Sequence, residues 1–505
     1  MKYILPLIFI FYVIVLLFFS RGEFPDSEFN NSYFPYLSER PLTEDGFYSL
    51  KIAWNIGTGK GITYNYNQST TGFQPLYVFL LSMFAFIISG LGGDKITFLR
   101  LVILFSGLTA LLLSFSFYQF TKQFEKKEHH KTLLILIFLL VLFNFKLLLN
   151  LFNGLETGIY LTFLALSMML TKKITEQKKN LSRIFLFGFV LGLTVLARID
   201  FMLIAVTVLF TLLFTGALSK KEFVLILIII FFTVLPWLYF ILVTQGSIIP
   251  SSASVQTGFT SVEFSYRIDQ FFYSMFSNYL PWLHSGQTQS IIIYLAALIF
   301  IGYLFRFQKV FVKKFFQIPV IKYWSTGIII ISAVYLAFAS QPYFFFRYLS
   351  VNMLIAIPFL ALLILNLLLN RSKKFKYTFI SIVLFVFFIN TGYYFHYPKQ
   401  VTSLALRTAF LEENNFFNKK VGMAQSGISG YFFDNVINLD GKVNNNALNA
   451  IKGNYLYNYI ARENISILIE WKEWFDNLPS SDLKRNWQIS DNQIKDNKTL
   501  VMIKK

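Results

Sequence analysis

The chain has 505 residues, of which 55% are hydrophobic, 19% aromatic and only 14% charged, and its mean hydropathy is +0.56. Soluble globular proteins carry charge on about a quarter of their residues, so this composition excludes an ordinary soluble enzyme, and equally a disordered or fibrous chain. There is no cysteine, which removes disulfides, Cys-ligated metals and thiol nucleophiles and leaves carboxylates, bases and hydroxyls to carry any chemistry. The net charge of +19 does not point to nucleic acid. The lysines and arginines fall mostly in loops between apolar runs, where a basic excess orients spans and meets the anionic headgroups of membrane lipids.

The first apolar run, residues 3–20, follows a single Lys2 and lacks a small-residue cleavage signal. It reads as a retained first span with its amino end in the cytoplasm. Later runs lie at 98–119, 133–150, 159–170, 184–196, 202–216, 223–243, 291–305, 326–339, 349–369 and 378–394. Measured against the ~20 residues that an α-helix needs to cross a bilayer, they give about eleven crossings. The expected fold is an α-helical polytopic membrane protein.

One more run, 75–91, decides the sidedness. If it crosses, the basic loops around Lys122, Lys126, Lys127 and Lys131, around Lys172, Lys173, Lys178 and Lys179, around Lys220 and Lys221, around Lys309, Lys313 and Lys314, and around Arg371, Lys373 and Lys374 all face outward. If it lies along or dips into the outer leaflet, all five face the cytoplasm, as the positive-inside rule asks. The second arrangement is adopted, with 75–91 a juxtamembrane or re-entrant helix inside a large first outer loop, 21–97. The short turns 153–156, 198–200 and 341–347, the loop 244–289 and everything after 394 then also face outward, and the unusual polar residues gather there.

Within the first loop, Thr43 is a candidate N-cap for a helix beginning Glu44-Asp45-Gly46-Phe47-Tyr48. Two acids in a first turn are favoured by the helix dipole and need no further role; alternatively, they serve as general base or divalent-metal ligands, for Mg or Mn, toward an attacking hydroxyl. The stretch Gly57-Thr58-Gly59-Lys60-Gly61 either connects two surface helices or cradles phosphate beside Lys60, but its spacing is not that of a P-loop. Glu156, Arg198, Asp200 and Arg347, which precedes Tyr348, stand at span ends. Ionisable groups are costly there unless they reach the interface or face a polar cavity. On one face they would suit an anionic lipid phosphate.

Six segments together carry a resemblance: Glu44-Asp45-Gly46-Phe47-Tyr48, Thr71-Gly72-Phe73-Gln74-Pro75-Leu76, Gly154-Leu155-Glu156-Thr157-Gly158, Ala197-Arg198-Ile199-Asp200, Ile249-Pro250-Ser251-Ser252-Ala253 and Arg347-Tyr348. In this order they resemble the C-type (GT-C) polytopic glycosyltransferases, in particular the bacterial relatives of protein O-mannosyltransferases and aminoarabinose lipid A transferases. The resemblance implies transfer of a sugar from a polyprenyl-phosphate donor to a lipid, glycan or protein acceptor on the non-cytoplasmic side. It implies an essential acid in the first loop, Asp45 ahead of Glu44, with Glu156 positioning acceptor or metal. Arg198 and Arg347, with Tyr348 and Lys60, would face the donor phosphate, and Gln74, Asp200 and Ser252 would contact substrate. Some relatives place Lys or His where this chain has Gln74, and their acid pair begins with Asp where this chain has Glu44.

After residue 394 the composition turns polar. Val421-Gly422-Met423-Ala424, the segment 436–441 and Ile465-Ser466-Ile467-Leu468-Ile469 read as short buried strands alternating with helices such as 455–462. Residues 1–394 are thus expected to form the transmembrane domain and 395–505 an extracytoplasmic α/β domain that recognises acceptor or caps the site. The Asp440-Gly441 pair reads as a turn. The high Phe, Ile, Lys and Asn content points to a bacterium with an A+T-rich genome, and the expected location is its cytoplasmic membrane. The competing reading, a transporter or lipid flippase of envelope glycolipid precursors, would show an internal repeat of broken helices, and no such self-similarity is found in the sequence. A phosphoethanolamine-type transferase would need clustered metal ligands, whereas the chain has only four His, two of them, His129 and His130, in a basic inner loop.

Overall fold

Apolar runs that cannot satisfy their backbone in lipid any other way become helices. The computed structural model describes residues 2–22, 24, 35–65, 68–176, 180–256, 263–282, 290–339, 341–369, 371–395, 403–494, 496 and 498–505. Lys178 and Lys179, part of one predicted basic loop, lie outside the described residues, as do parts of the 244–289 loop. In chain order the helices are α1 (Ile4–Phe19), α2 (Glu44–Gly57), α3 (Pro75–Gly90), α4 (Lys95–Thr121), α5 (His130–Leu142), α6 (Phe145–Leu151), α7 (Thr157–Glu176), α8 (Leu181–Ala197), α9 (Met202–Phe214), α10 (Lys220–Gln245) and α11 (Ser251–Gln256). They continue with α12 (Phe264–Tyr279), α13 (Ser290–Phe307), α14 (Lys309–Gln317), α15 (Pro319–Phe338), α16 (Phe345–Tyr348), α17 (Met353–Leu368) and α18 (Lys373–Phe395).

Every expected apolar run falls on a helix, while helix length and composition alone support fewer crossings than the roughly eleven expected. Among the described residues five helices are long and apolar enough to cross a membrane, or up to seven if each of two bent pairs is one span. The 133–150 run is not one continuous helix. Asn144 accepts the N–H of Leu147 at 3.1 Å and starts a new helix, so α5 and α6 meet at 62°. Likewise α13 and α14 meet at 91°. Helices α1, α3, α8 and α9 are apolar but shorter. Large side chains such as Phe231, Phe232, Tyr239 and Val243 of α10 stay exposed, as a lipid-facing surface requires. The protein is a multi-pass membrane protein.

Helix α3 packs along α2. Both begin at the cavity described below, and the end of α2 at Gly57 touches α3 at Ser82, Ala85 and Phe86. Residues 403–505 add α19 (Ser403–Glu413), β1 (Val421–Met423), α20 (Gly427–Phe432), β2 (Val436–Asn438), α21 (Asn445–Lys452), α22 (Leu456–Arg462), β3 (Ile467–Trp471), α23 (Ser480–Asn486), β4 (Trp487–Ile489) and β5 (Thr499–Lys504). The sheet order is β2-β1-β3-β5-β4. Strand β1 pairs in parallel with β2 (Val421 opposite Val436) and β3 (Val421 opposite Ile467), whereas β5 runs antiparallel to β3 and β4. The carboxyl edge of the parallel strands is fastened internally by Glu470, which pairs with buried Arg407 at 2.7 Å and accepts the N–H groups of Ala424 and Gln425 at 2.8 and 2.9 Å.

That edge docks on α2. Ile428, Tyr431 and Val443 join the main apolar core, and the Tyr431 ring lies 5.3 Å from that of Phe47. The Tyr48 hydroxyl donates to the Ala424 carbonyl at 3.2 Å and accepts the Ser426 N–H at 3.1 Å. The loops that follow β1 and β2 therefore sit directly over the first turns of α2.

Candidate active site

Glu44 and Asp45 occupy the first turn of α2, as their sequence suggests. Thr43 stands at the cap position without capping: its hydroxyl donates to the Asn153 carbonyl at 3.0 Å, and its N–H reaches the same oxygen at 3.1 Å. The expected cap is thus a tether between α2 and the 153–156 turn. It closes because Gly46 has no side chain; a Cβ there would lie 2.2 Å from the Asn153 oxygen. Asp45 and Glu156, distant in sequence, are held on neighbouring walls in this way.

Those walls enclose a cavity of ≈ 390 Å³. Eight of the ten sequence candidates line it: Asp45, Gln74, Glu156, Arg198, Asp200, Ser252, Arg347 and Tyr348. Glu44 and Lys60 do not. Lys60 donates to Asp434 at 2.7 Å with both side chains about half exposed, so the Gly-rich turn is a surface connector. Glu44 turns toward the short helix α20 and accepts the N–H groups of Gly427 and of Ile428, the latter at 2.9 Å.

Burial pushes the Glu44 carboxyl up to about 7, against the pull of those two N–H donors. Because the folded value exceeds the ordinary 4.5, its contribution to stability is complete below about pH 4.5 and is lost as pH rises through about 7. Thermal unfolding should therefore show a stability component that declines across this window in the wild-type protein and is missing in Glu44→Gln. An unchanged slope in the variant would contradict the assignment.

Two arginines face the acids. Arg347 Nη1 lies 3.2 Å from Asp45 Oδ2. Arg198 Nε donates to both Asp200 oxygens at 3.0 and 3.1 Å, and its Nη1 stands 3.6 Å from Glu156. The Tyr335 hydroxyl donates to Asp200 as well. The Tyr348 ring lies 4.9 Å from the Arg198 guanidinium and 5.4 Å from that of Arg347, and it stacks on Tyr335 at 4.9 Å. Arg198 Nη1 and Arg347 Nε are buried with no hydrogen-bond acceptor among the described residues. The Glu156 carboxylate offsets the charge at Arg198 Nη1 without a hydrogen bond, and buried N–H groups of this kind are costly. Gln74 has a scaffolding contact: its Oε1 accepts the Ile199 N–H at 3.3 Å and so holds the 198–200 turn in place.

One lining residue escapes the sequence reading. Asp440-Gly441 is indeed a turn, with Gly441 at φ +79°, but it serves to aim Lys442 into the cavity. Lys442 Nζ lies 3.6 Å from Asp45 Oδ1 and 3.4 Å from Asp440 Oδ2. The loop is clamped by Ser251 Oγ, which donates to the Lys442 carbonyl at 2.9 Å. Gly72 permits the same approach, since a Cβ there would sit 1.8 Å from that carbonyl oxygen. The available signal is positional: loops at the carboxyl ends of parallel strands are where open α/β sheets meet ligands. Although burial opposes it, Lys442 and Arg347 together hold the Asp45 carboxyl below its ordinary value.

The expected metal pair does not fit. Among the described residues no group of three or more His, Asp or Glu side chains is arranged to hold a metal ion. Glu44 is committed to backbone N–H groups, and each Asp45 oxygen already faces a cation. At an effective dielectric near 20, a dication about 4 Å from one ammonium is repelled by about 8 kcal/mol.

No protein-family model and no curated protein matches the sequence. Solved structures do. The ArnT protein of Cupriavidus metallidurans in the apo state matches with a TM-score of 0.52 at 10% identity, over 98% of this chain and 97% of that one. The same protein bound to undecaprenyl phosphate matches at 0.52 and 9% identity over the same shares. An oligosaccharyltransferase of Archaeoglobus fulgidus, solved as a complex with Zn and sulfate, matches at 0.51 and 12% identity over 99% of this chain and 73% of that one. The chain has the GT-C fold of these transferases, as the sequence resemblance implies.

Proposed function

We propose that this protein is a membrane glycosyltransferase that moves a sugar from a polyprenyl-phosphate carrier to a hydroxyl of a lipid, glycan or protein acceptor at the outer face of the cytoplasmic membrane. The observation that carries the reading is the cavity: Asp45, its partner Arg347 and Arg198 line it together, with Ile248, Ile249, Val334 and Phe338 as an apolar flank. An isoprenoid tail suits the flank and a phosphate suits the arginines. Undecaprenyl phosphate, bound by ArnT, has this chemistry.

In the proposed reaction Asp45 takes the proton of the acceptor hydroxyl as its oxygen bonds to the sugar anomeric carbon. The bond from that carbon to the carrier phosphate breaks, its electron pair goes to the phosphate oxygen, and one displacement gives inversion. Arg198 and Arg347 stabilise the charge that develops there. Arg347 links the two ends: its Nη1 orients Asp45 and its side chain lines the cavity that takes the phosphate. Glu156 keeps Arg198 in place, and the loops after β1 and β2 cap the acceptor side.

Purified protein should release free polyprenyl phosphate from at least one member of a panel of polyprenyl-phosphate sugars; release from none would refute the reading. The absence of cysteine makes sidedness separately testable. A cysteine replacing Ser252 should react with an impermeant label from outside intact cells, and one replacing Lys173 should not. Outside labelling at Lys173 would overturn the orientation.

A further inference from the structure

Asp45 faces two cations, and only one of them comes from the membrane bundle. Arg347 approaches from α16, whereas Lys442 reaches in from the loop after β2 in the carboxyl-terminal sheet, 3.6 Å from Asp45 Oδ1. We propose that Lys442 is the resident cation of Asp45, occupying the place that a divalent metal would otherwise fill, so that the carboxylate works without one. The loop is built for this: the Lys442 N–H donates to Asp440 Oδ1 at 2.8 Å, the Gly441 N–H to Asn438 Oδ1 at 3.1 Å, and Ser251 holds the Lys442 carbonyl. The ammonium lies 5.7 Å from the Tyr48 ring and is little exposed. Burial pulls its charge down, but Asp440 and Asp45 on either side more than offset that and hold it protonated above the ordinary lysine range.

A fixed ammonium keeps Asp45 ionised and oriented while leaving its lone pairs able to take a proton; as a positioning residue, Lys442 acts through Asp45. The other groups facing Asp45 are Arg347, Glu44 and Tyr343; Lys442 holds Glu44 and Tyr343 down as well as Asp45, so the pH profiles are compared in a Glu44→Gln background, where Glu44 cannot titrate. The role rests on Asp45 being the base of the proposed transfer, but metal binding is read independently of it.

Three measurements on the full-length protein decide the matter. Electron paramagnetic resonance of added Mn2+ should show no site in the wild-type protein that Asp45→Asn removes. Carrier release should be unaltered by chelator and unstimulated by Mg2+ or Mn2+. In Lys442→Met the acid limb of the pH–rate profile should move to higher pH, because Asp45 loses a cation that lowers its pKa, and Lys442→Arg should bring the limb back. A Mn2+ site lost in Asp45→Asn, chelator-sensitive turnover, or an acid limb unmoved in Lys442→Met would each overturn the proposal. Failure to turn over any donor would refute sugar transfer instead, with the Mn2+ spectra still deciding the role of Lys442.

Discussion

Asp45→Asn should reduce carrier release by about 10²–10⁴-fold, the range for removal of a general base, with the protein still folded and inserted. The replacement keeps the shape and an oxygen that can accept from Arg347, so orientation survives and the capacity to take a proton does not. If Asp45 is the proposed base, the effect should fall on turnover with donor affinity little changed. Glu44→Gln provides the contrast. Glu44 does not line the cavity and accepts the N–H groups of Gly427 and Ile428, so its loss should affect docking of the carboxyl-terminal sheet and lower turnover by less than about tenfold. Equal losses in the two variants would mean that the acids act as a unit, and a larger loss in Glu44→Gln would reverse the assignment.

Arg198→Met should be damaging in two separable ways. Removing one partner of a buried pair leaves Glu156 uncompensated, which costs about 3–5 kcal/mol of stability; the Arg198 and Glu156 side chains are 5% and 6% exposed. The second loss is charge stabilisation on the departing phosphate, worth about 10²–10³ in turnover by comparison with removal of an oxyanion-hole donor. Combining Arg198→Met with Glu156→Gln separates them. The double variant should recover thermal stability, since no buried charge is stranded, but not turnover. Recovery of both would make Arg198 structural.

The legible part of this protein is what depends on local pattern. Long apolar runs announced the helices, short buried apolar runs between helical stretches announced β1, β2 and β3, and costly ions at span ends announced Glu156, Arg198, Asp200 and Arg347, all of which line one cavity. What stayed hidden depends on tertiary partners. Asn144 breaks a continuous apolar run because its side chain can cap α6, and hydrophobicity carries no trace of that. Thr43 looks like a cap but bonds across to Asn153. Glu44 and Asp45 are adjacent and alike in chemistry; the rotation of α2 separates one toward α20 and the other toward the cavity. Lys60 and Lys442 each follow a glycine-containing turn. Only the docking of the sheet sends Lys442 to Asp45, while Lys60 reaches no further than Asp434 at the surface.

The most direct test of the central claim is a structure determined with a polyprenyl phosphate bound in a lipid nanodisc. Phosphate density is expected between Arg198 and Arg347 beside Tyr348, with the lipid tail leaving along Ile249 and Phe338. Phosphate bound away from both arginines, with Asp45 and Arg347 still paired to each other and shielded from it, would contradict the account.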